Sequence, residues 1–315
     1  MTRIAVWGLV GFLSAFPVVT PAIADEPAAR GLTSDQIPGT SAEEIIAKNV
    51  AARGGLDAWR KIQSMVWVGH IDSVHASQQD IPFVLEMKHP NKTRFEIKAQ
   101  NQASVRIYDG THGWKLRASA SGKPDLQPYS AEELKFAKDD QVIGEPLVDY
   151  QARGISVALD GVDEVEGRRA YRLKVMQPSG ASHHLWIDAE TFLDVKSDRE
   201  SRNAFGVSGK ILVYYRNYTS IEGLQMPLLI ESGGGEAKAP GKDTATAMDK
   251  MVIHKIVLNP PLEDRVFARP SVPGGKRHTV MVESTPVQPA MPSRPRSAGF
   301  PGLNPGAPSG SAGAQ

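Results

Sequence analysis

Residues 65–71 read Met65-Val66-Trp67-Val68-Gly69-His70-Ile71, with Met65, Trp67, Gly69 and Ile71 at alternate positions. In an extended chain successive side chains point to opposite faces, so this spacing predicts a β-strand with one apolar side. The same period of two returns in Phe83/Leu85/Met87, Phe95/Ile97, Val105/Ile107, Trp114/Leu116, Tyr171/Leu173/Val175, Leu185/Ile187, Ile211/Val213/Tyr215, Leu228/Ile230 and Ile253–Leu258. Between these runs lie Asp109-Gly110, Glu166-Gly167, Ser179-Gly180 and Glu222-Gly223. Such pairs supply the positive φ angles of tight hairpins, so the strands are expected to be antiparallel rather than joined by helical crossovers. About ten short strands are too many for one flat sheet, which should curl or close partly into a barrel.

Two helix starts stand out. Ser41-Ala-Glu-Glu44 and Ser130-Ala-Glu-Glu133 each place a cap residue three before a glutamate, the spacing of a capping box. Ile45, Ile46, Val50 and Ala51 continue the first as an apolar stripe that Gly54-Gly55 stops, and a short turn from Leu56 to Ile62 follows. Leu134 and Phe136 make the second brief and amphipathic.

The ends differ from this unit. Arg3 precedes an apolar run from Ile4 to Val19, then Ala22-Ile23-Ala24 before Asp25. That order is the pattern of a cleaved Sec-type signal peptide, residues 1–24, and implies a periplasmic location. Residues 25–40 form a polar lead-in and 41–269 the folded domain. Residues 270–315 hold 9 of the 23 prolines and 7 of the 29 glycines, a composition that predicts a disordered tail. No later apolar stretch is long enough for a transmembrane helix.

Composition removes several classes of function. Lys and Arg number 36 against 35 Asp and Glu, so the chain has no overall field for nucleic acid. Without cysteine there is no disulfide framework, thiolate metal site, cysteine nucleophile or acylated lipobox. Neither Gly-x-Ser-x-Gly nor His-Glu-x-x-His occurs. The stretch Gly233-Gly-Gly235 to Gly241-Lys242-Asp243 has the wrong spacing for a phosphate loop and reads as a flexible loop. His183 and His184 are neighbours on a strand, so they face opposite ways and cannot share a metal. The acids Asp160, Asp163, Glu164, Glu166, Asp188 and Glu190 read mainly as turn residues. No catalytic group, cofactor or metal site is expected.

Gly54-Gly-Leu-Asp-Ala-Trp59-Arg-Lys-Ile62, His89-Pro-Asn-Lys-Thr-Arg94 and Tyr108-Asp-Gly-Thr-His-Gly-Trp114 follow one another in that order. Further on come Gly161–Tyr171, Trp186–Leu193, Tyr218–Pro227 and Asn259-Pro-Pro-Leu262 with Phe267. Together, over residues 41–270, these segments resemble the LolA-like outer-membrane lipoprotein-sorting proteins. The resemblance implies a strongly curved antiparallel sheet, an incomplete β-barrel, under a helical lid. It also implies a periplasmic carrier whose cavity shields the acyl chains of a lipoprotein or lipid on the way to the outer membrane. A partner protein in the inner or outer membrane belongs to that picture.

A sixteen-carbon chain in water is disfavoured by roughly 12 kcal/mol at about 0.8 kcal/mol per methylene, so a soluble carrier must offer a comparable apolar surface. Trp67, Ile71, Leu85, Met87, Phe95, Ile97 and Trp114 are the residues nominated to line it. In the family an arginine immediately before Pro-Asn ties the lid shut. His89 stands at that position here, a shorter donor, and Arg94 is the other candidate contact, although beside Glu96 it also reads as an outward-facing charge. Two other readings stay open. One is a lipid or lipoprotein sensor of the same fold that signals through a protein partner, and the other is an exported hydrolase.

Overall fold

A computed structural model describes residues 40–74, 76–99, 102–118, 124–139, 143–144, 146–202, 208–234 and 248–271. The signal peptide, nearly all of the lead-in, the tail beyond residue 271 and the glycine–lysine stretch at 235–247 lie outside the described residues. No described helix is long and apolar enough to cross a membrane.

Both helix starts are capped by their serines, but only the second closes as a full capping box. Ser41 Oγ accepts from the Glu44 amide at 3.2 Å and starts α1, Ala42–Ala52. Glu44 then turns outward to Lys48 at 2.6 Å, an exposed pair of small energetic weight. At α3, Ala131–Asp139, the box is reciprocal: Ser130 Oγ accepts from the Glu133 amide at 3.1 Å, and Glu133 Oε2 accepts from the Ser130 amide at 2.8 Å. Between them Leu56–Arg60 forms the short α2, which buries Trp59.

The strands are β1 (Ser64–Asp72), β2 (Ile81–Lys88), β3 (Lys92–Ala99), β4 (Gln102–Tyr108), β5 (Gly113–Ala118), β6 (Pro124–Pro128), β7 (Ser156–Val165), β8 (Arg168–Met176), β9 (Ser182–Asp188), β10 (Asp194–Arg202), β11 (Ser208–Ile221), β12 (Leu224–Gly234) and β13 (Asp249–Leu258). They form one antiparallel sheet in the order β6-β5-β4-β3-β2-β1-β13-β12-β11-β10-β9-β8-β7. The first and last strands meet in the middle, and β6 and β7 are the two edges, so the barrel is not closed. The connection from β6 to β7, which carries α3, links one edge to the other.

Three strands lacked an alternating apolar signature. β6 is a short edge between two prolines, and β7 is the other edge. β10 reads Asp-Val-Lys-Ser-Asp-Arg-Glu-Ser-Arg, yet it is internal, paired with both β9 and β11. Its polar side chains are satisfied across the sheet, as where Asp198 accepts from Lys210 at 2.8 Å and from the His184 amide at 2.6 Å. Asp160, Asp163 and Glu164, expected in turns, belong to β7, and Arg172 on β8 pairs with the first two at 2.8 Å each.

Register divides the sheet into two faces. Opposed residues Trp67, Leu85, Phe95 and Arg106 form one inner row across β1–β4. Leu173, Leu185, Ser197 and Val213 form another across β8–β11. These faces bury Met65, Phe83, Met87, Ile230, Met251 and Ile253 on one side of the fold, and Ile45, Ile155, Leu173, Val175 and Ile187 beneath α1 on the other. Each fully buried aliphatic or aromatic side chain is worth about 1.5–3 kcal/mol. One irregularity interrupts the central seam: Val68 opposes Lys255 while Gly69 opposes Ile253, which leaves His254 as an extra, bulged residue. Only glycine fits at 69, because a Cβ there would lie 1.9 Å from the Val252 carbonyl oxygen.

Candidate ligand-binding cavity

Residues from both halves of the sheet line a single cavity of about 310 Å³, which requires the sheet to curl. Its apolar wall comes from β1–β3 and β12, with Met65, Trp67, Leu85, Met87, Phe95 and Met226, and from Trp59 on α2. Four of the seven nominated residues, Trp67, Leu85, Met87 and Phe95, are therefore brought together. The other three are placed elsewhere. Ile71 and Ile97 share the inner face but lie in the filled core, with Ile71 opposite Ile81 and Met251 and Ile97 opposite Phe83. Trp114 is on the outer face, because it opposes Ile107, which opposes Arg94. There it packs with Val105, Ile107 and Phe267 under the 3₁₀ turn Asp264–Phe267.

The rest of the lining is mixed. Arg53, Arg106, Arg153, His183 and Arg199 contribute to it with Tyr108, Tyr129 and Tyr215, interspersed with Leu185, Val213 and Ile230. Arg53, at the end of α1, is buried and ion-paired with Asp194 at 3.3 Å, and its guanidinium lies 4.7 Å from the Trp59 ring centre. Asn49 donates to the Phe192 carbonyl at 2.8 Å and to Asp194 at 3.1 Å, while Trp59 Nε1 donates to the Arg53 carbonyl at 3.1 Å. Burial pushes the Asp194 carboxyl up, and Arg53 and Asn49 pull it back without cancelling the shift. Burial also holds the His183 imidazole below its ordinary value, with His184 and Arg199 adding to the effect and Asp198 opposing it. His184, on the outer face, bonds Asp198 at 3.0 Å, so the two neighbouring histidines do point apart.

The α3 crossover closes one side, contributing Ala137, Asp139, Gly144 and Pro146 to the lining. Its first turn is anchored by Glu133, which accepts from Lys115 at 2.8 Å and from Arg106 at 3.0 Å. Partial burial works to raise the Glu133 carboxyl, but Lys115, the Ser130 amide and Arg106 outweigh it and leave it below the ordinary glutamate value. Tyr129 stacks under the Arg106 guanidinium at 4.7 Å and packs its ring where a Cβ on Gly113 would sit. The last turn is tied to both halves of the sheet. Asn91 Nδ2 donates to the carbonyls of Ala137 at 2.9 Å and Lys138 at 3.3 Å, and Asp139 accepts from Ser179 in the β8–β9 turn.

Neither nominated lid contact reaches this helix. His89 donates its backbone amide to the Gln63 carbonyl at 2.9 Å, and its side chain makes no hydrogen bond among the described residues. Arg94 is on the outer face, paired with Glu86 at 2.8 Å and with Glu96. The tie instead comes from Asn91, two residues beyond His89, whose turn position and paired donors suit the open carbonyls of a helix end.

No protein-family model matches the chain, and no curated protein matches it by sequence. Solved structures do. The crystal structure of a LolA superfamily protein from Nitrosomonas europaea is similar with a TM-score of 0.46 at 14% identity, over 73% of this chain and 98% of that one. A putative outer membrane lipoprotein-sorting protein domain from Vibrio parahaemolyticus gives 0.45 at 9% identity, over 71% and 94%. A DUF1329 family protein from Desulfovibrio piger gives 0.44 at 11%, over 72% and 96%. By its own strand order the chain is an open antiparallel sheet with a helical crossover between its two edges.

Proposed function

We propose that this protein is a periplasmic binding protein that shields the acyl chains of a lipoprotein or lipid in its cavity during transfer towards the outer membrane. The observation that carries the reading is the cavity itself, about 310 Å³ and lined by Trp67, Leu85, Met87 and Phe95 together with residues of the α3 crossover. That volume is at the lower end of the range for sites that enclose a small ligand, roughly 300–1,000 Å³, and suits one chain or part of one while the lid is closed. Methionines 65, 87 and 226 supply unbranched, adaptable packing for an alkyl chain of variable length. The arginines and tyrosines of the lining give the polar end of an amphiphile a place to lie.

Native mass spectrometry of protein purified from the cell envelope without detergent tests the proposal. A stoichiometric acylated adduct, lost on mixing with lipid vesicles, is the expected result. The Leu85→Glu variant, which puts a carboxylate on the apolar wall, should retain at least tenfold less adduct. Empty protein that also takes up no fluorescent fatty acyl probe would sink the proposal, as would an adduct that Leu85→Glu leaves unchanged.

A further inference from the structure

On the outer face of the central seam, away from the cavity, four side chains converge. His70 and Asp72 sit two apart on β1 and so share a face, and Asp80 comes in from the start of β2. The Asp80 amide donates to Asp72 Oδ1 at 3.0 Å, which holds the Asp72 carboxylate against the backbone at Asp80. His70 Nε2 lies 3.5 Å from Asp72 Oδ2 and 3.4 Å from Asp80 Oδ1. One donor atom from each of the three residues lies within 4.8 Å of the others. The fourth residue is the bulged His254, whose Nε2 lies 2.9 Å from His70 Nδ1. A bulge re-aims a side chain that regular pairing would send elsewhere.

The two His70–carboxylate distances, 3.5 and 3.4 Å, fit a shared cation better than direct bonds. A hydrogen bond from nitrogen to oxygen is normally about 2.7–3.2 Å, and both His70–carboxylate distances exceed it. Two ligands at about 2.1 Å from a tetrahedral zinc ion are about 3.4 Å apart. The contact with His254 completes the arrangement: if His70 Nδ1–H donates to His254 Nε2, the lone pair of His70 Nε2 faces the carboxylates. A ligating histidine normally donates its other N–H in this way. Among the described residues no lysine or arginine nitrogen comes within 4.0 Å of Asp72 or Asp80. The superficially similar group around His184 differs on this point, since Arg172 and Lys210 each lie 2.8 Å from its two carboxylates, Asp160 and Asp198.

We propose that His70, Asp72 and Asp80 form a divalent transition-metal site, with zinc the best-fitting ion and His254 the outer partner that sets the His70 tautomer. Water completes the tetrahedron, and the exposed Asp80 carboxylate closes onto the ion. Bound metal would pin the β1–β2 connection to the seam.

Isothermal titration of the untagged full chain with zinc chloride is the test, with circular dichroism in chelator to show that each variant is folded. One equivalent should bind. His70→Ala and Asp80→Asn should each weaken it at least tenfold, His254→Ala by about 10- to 100-fold, and His184→Ala should behave as wild type. Asp80→Asn keeps the test decisive if His70→Ala fails to fold, because Asp80 is exposed. Absence of stoichiometric binding in the wild type overturns the proposal, and so does unaltered binding by Asp80→Asn.

Discussion

Replacing Asn91 by aspartate keeps the side chain's shape and removes both donors that hold the last turn of α3. In their place it sets a carboxylate against the Ala137 and Lys138 carbonyls, now 2.9 and 3.3 Å from Nδ2. Each lost hydrogen bond is worth about 0.5–1.5 kcal/mol net. A negative charge at the negative end of a helix adds about 0.3–1 kcal/mol. The closed lid should therefore lose about 2 kcal/mol or more, which is roughly a thirtyfold shift towards the open form. Native-state hydrogen exchange reads this directly, because a local opening changes exchange only where it occurs. Amides 136–139 should exchange about thirty times faster in Asn91→Asp, those of β8 and β9 should be unchanged, and Asn91→Ala should fall between. Equal rates at 136–139 in the two proteins would refute Asn91 as the tie. Uniform acceleration throughout the chain would show that the substitution loosens the whole fold and not the lid.

Gly69→Ala should lower stability by at least about 1–3 kcal/mol, read as the shift in urea midpoint, because its Cβ meets the Val252 carbonyl oxygen at 1.9 Å; Gly209→Ala, with nothing within 4 Å, should lose less. Asp194→Ala leaves the buried Arg53 without its carboxylate and should cost about 3–5 kcal/mol, whereas Arg53→Met with Asp194→Leu should recover most of that loss in the same urea titration. Glu133 titrates below the ordinary 4.5 in the folded state, so its contribution is complete above 4.5 and is lost as the pH falls through the depressed folded value. Exchange at the first turn of α3 should accordingly rise with acid below 4.5, after correction for the intrinsic pH dependence of exchange, and Glu133→Gln should abolish that pH dependence.

Period-two alternation was enough to locate the strands that bury one clean face, and β1 is the clearest, with Met65, Trp67 and Ile71 all pointing inward. It failed at β10 because that strand's polar side chains are satisfied by neighbouring strands and not by water. Nothing within the strand announces that Lys210 is close to Asp198. The cavity was legible in part for a related reason. Alternation assigns a side chain to a face but does not say which face is concave, and Trp114 looked equivalent to Trp67 until register set it opposite Ile107. Depth along a face is equally hidden, so Ile71 and Ile97 read as lining although they fill the core. The polar part of the lining is hidden because Arg53, Arg106 and Arg199 come from three distant segments, and charged residues in a sequence read first as surface. Asn91 was within reach, since an asparagine two residues from the expected lid contact offers two donors, but only the position of α3 shows what they bond.

The seam between β1 and β13 has a consequence for how the chain assembles. Six strands before the α3 crossover and seven after it each form a meander of sequential neighbours, and Met65 opposite Leu258 begins the one junction that joins strands from the two ends of the domain. Each meander can form through short loop closures, whereas the junction closes nearly the whole domain at once and carries the largest entropic cost. It should be the late, rate-limiting event. The same layout sets the first and last strands side by side at the centre of the sheet, so a break in the α3 crossover would cut neither meander nor the seam and would leave the lid with two free ends.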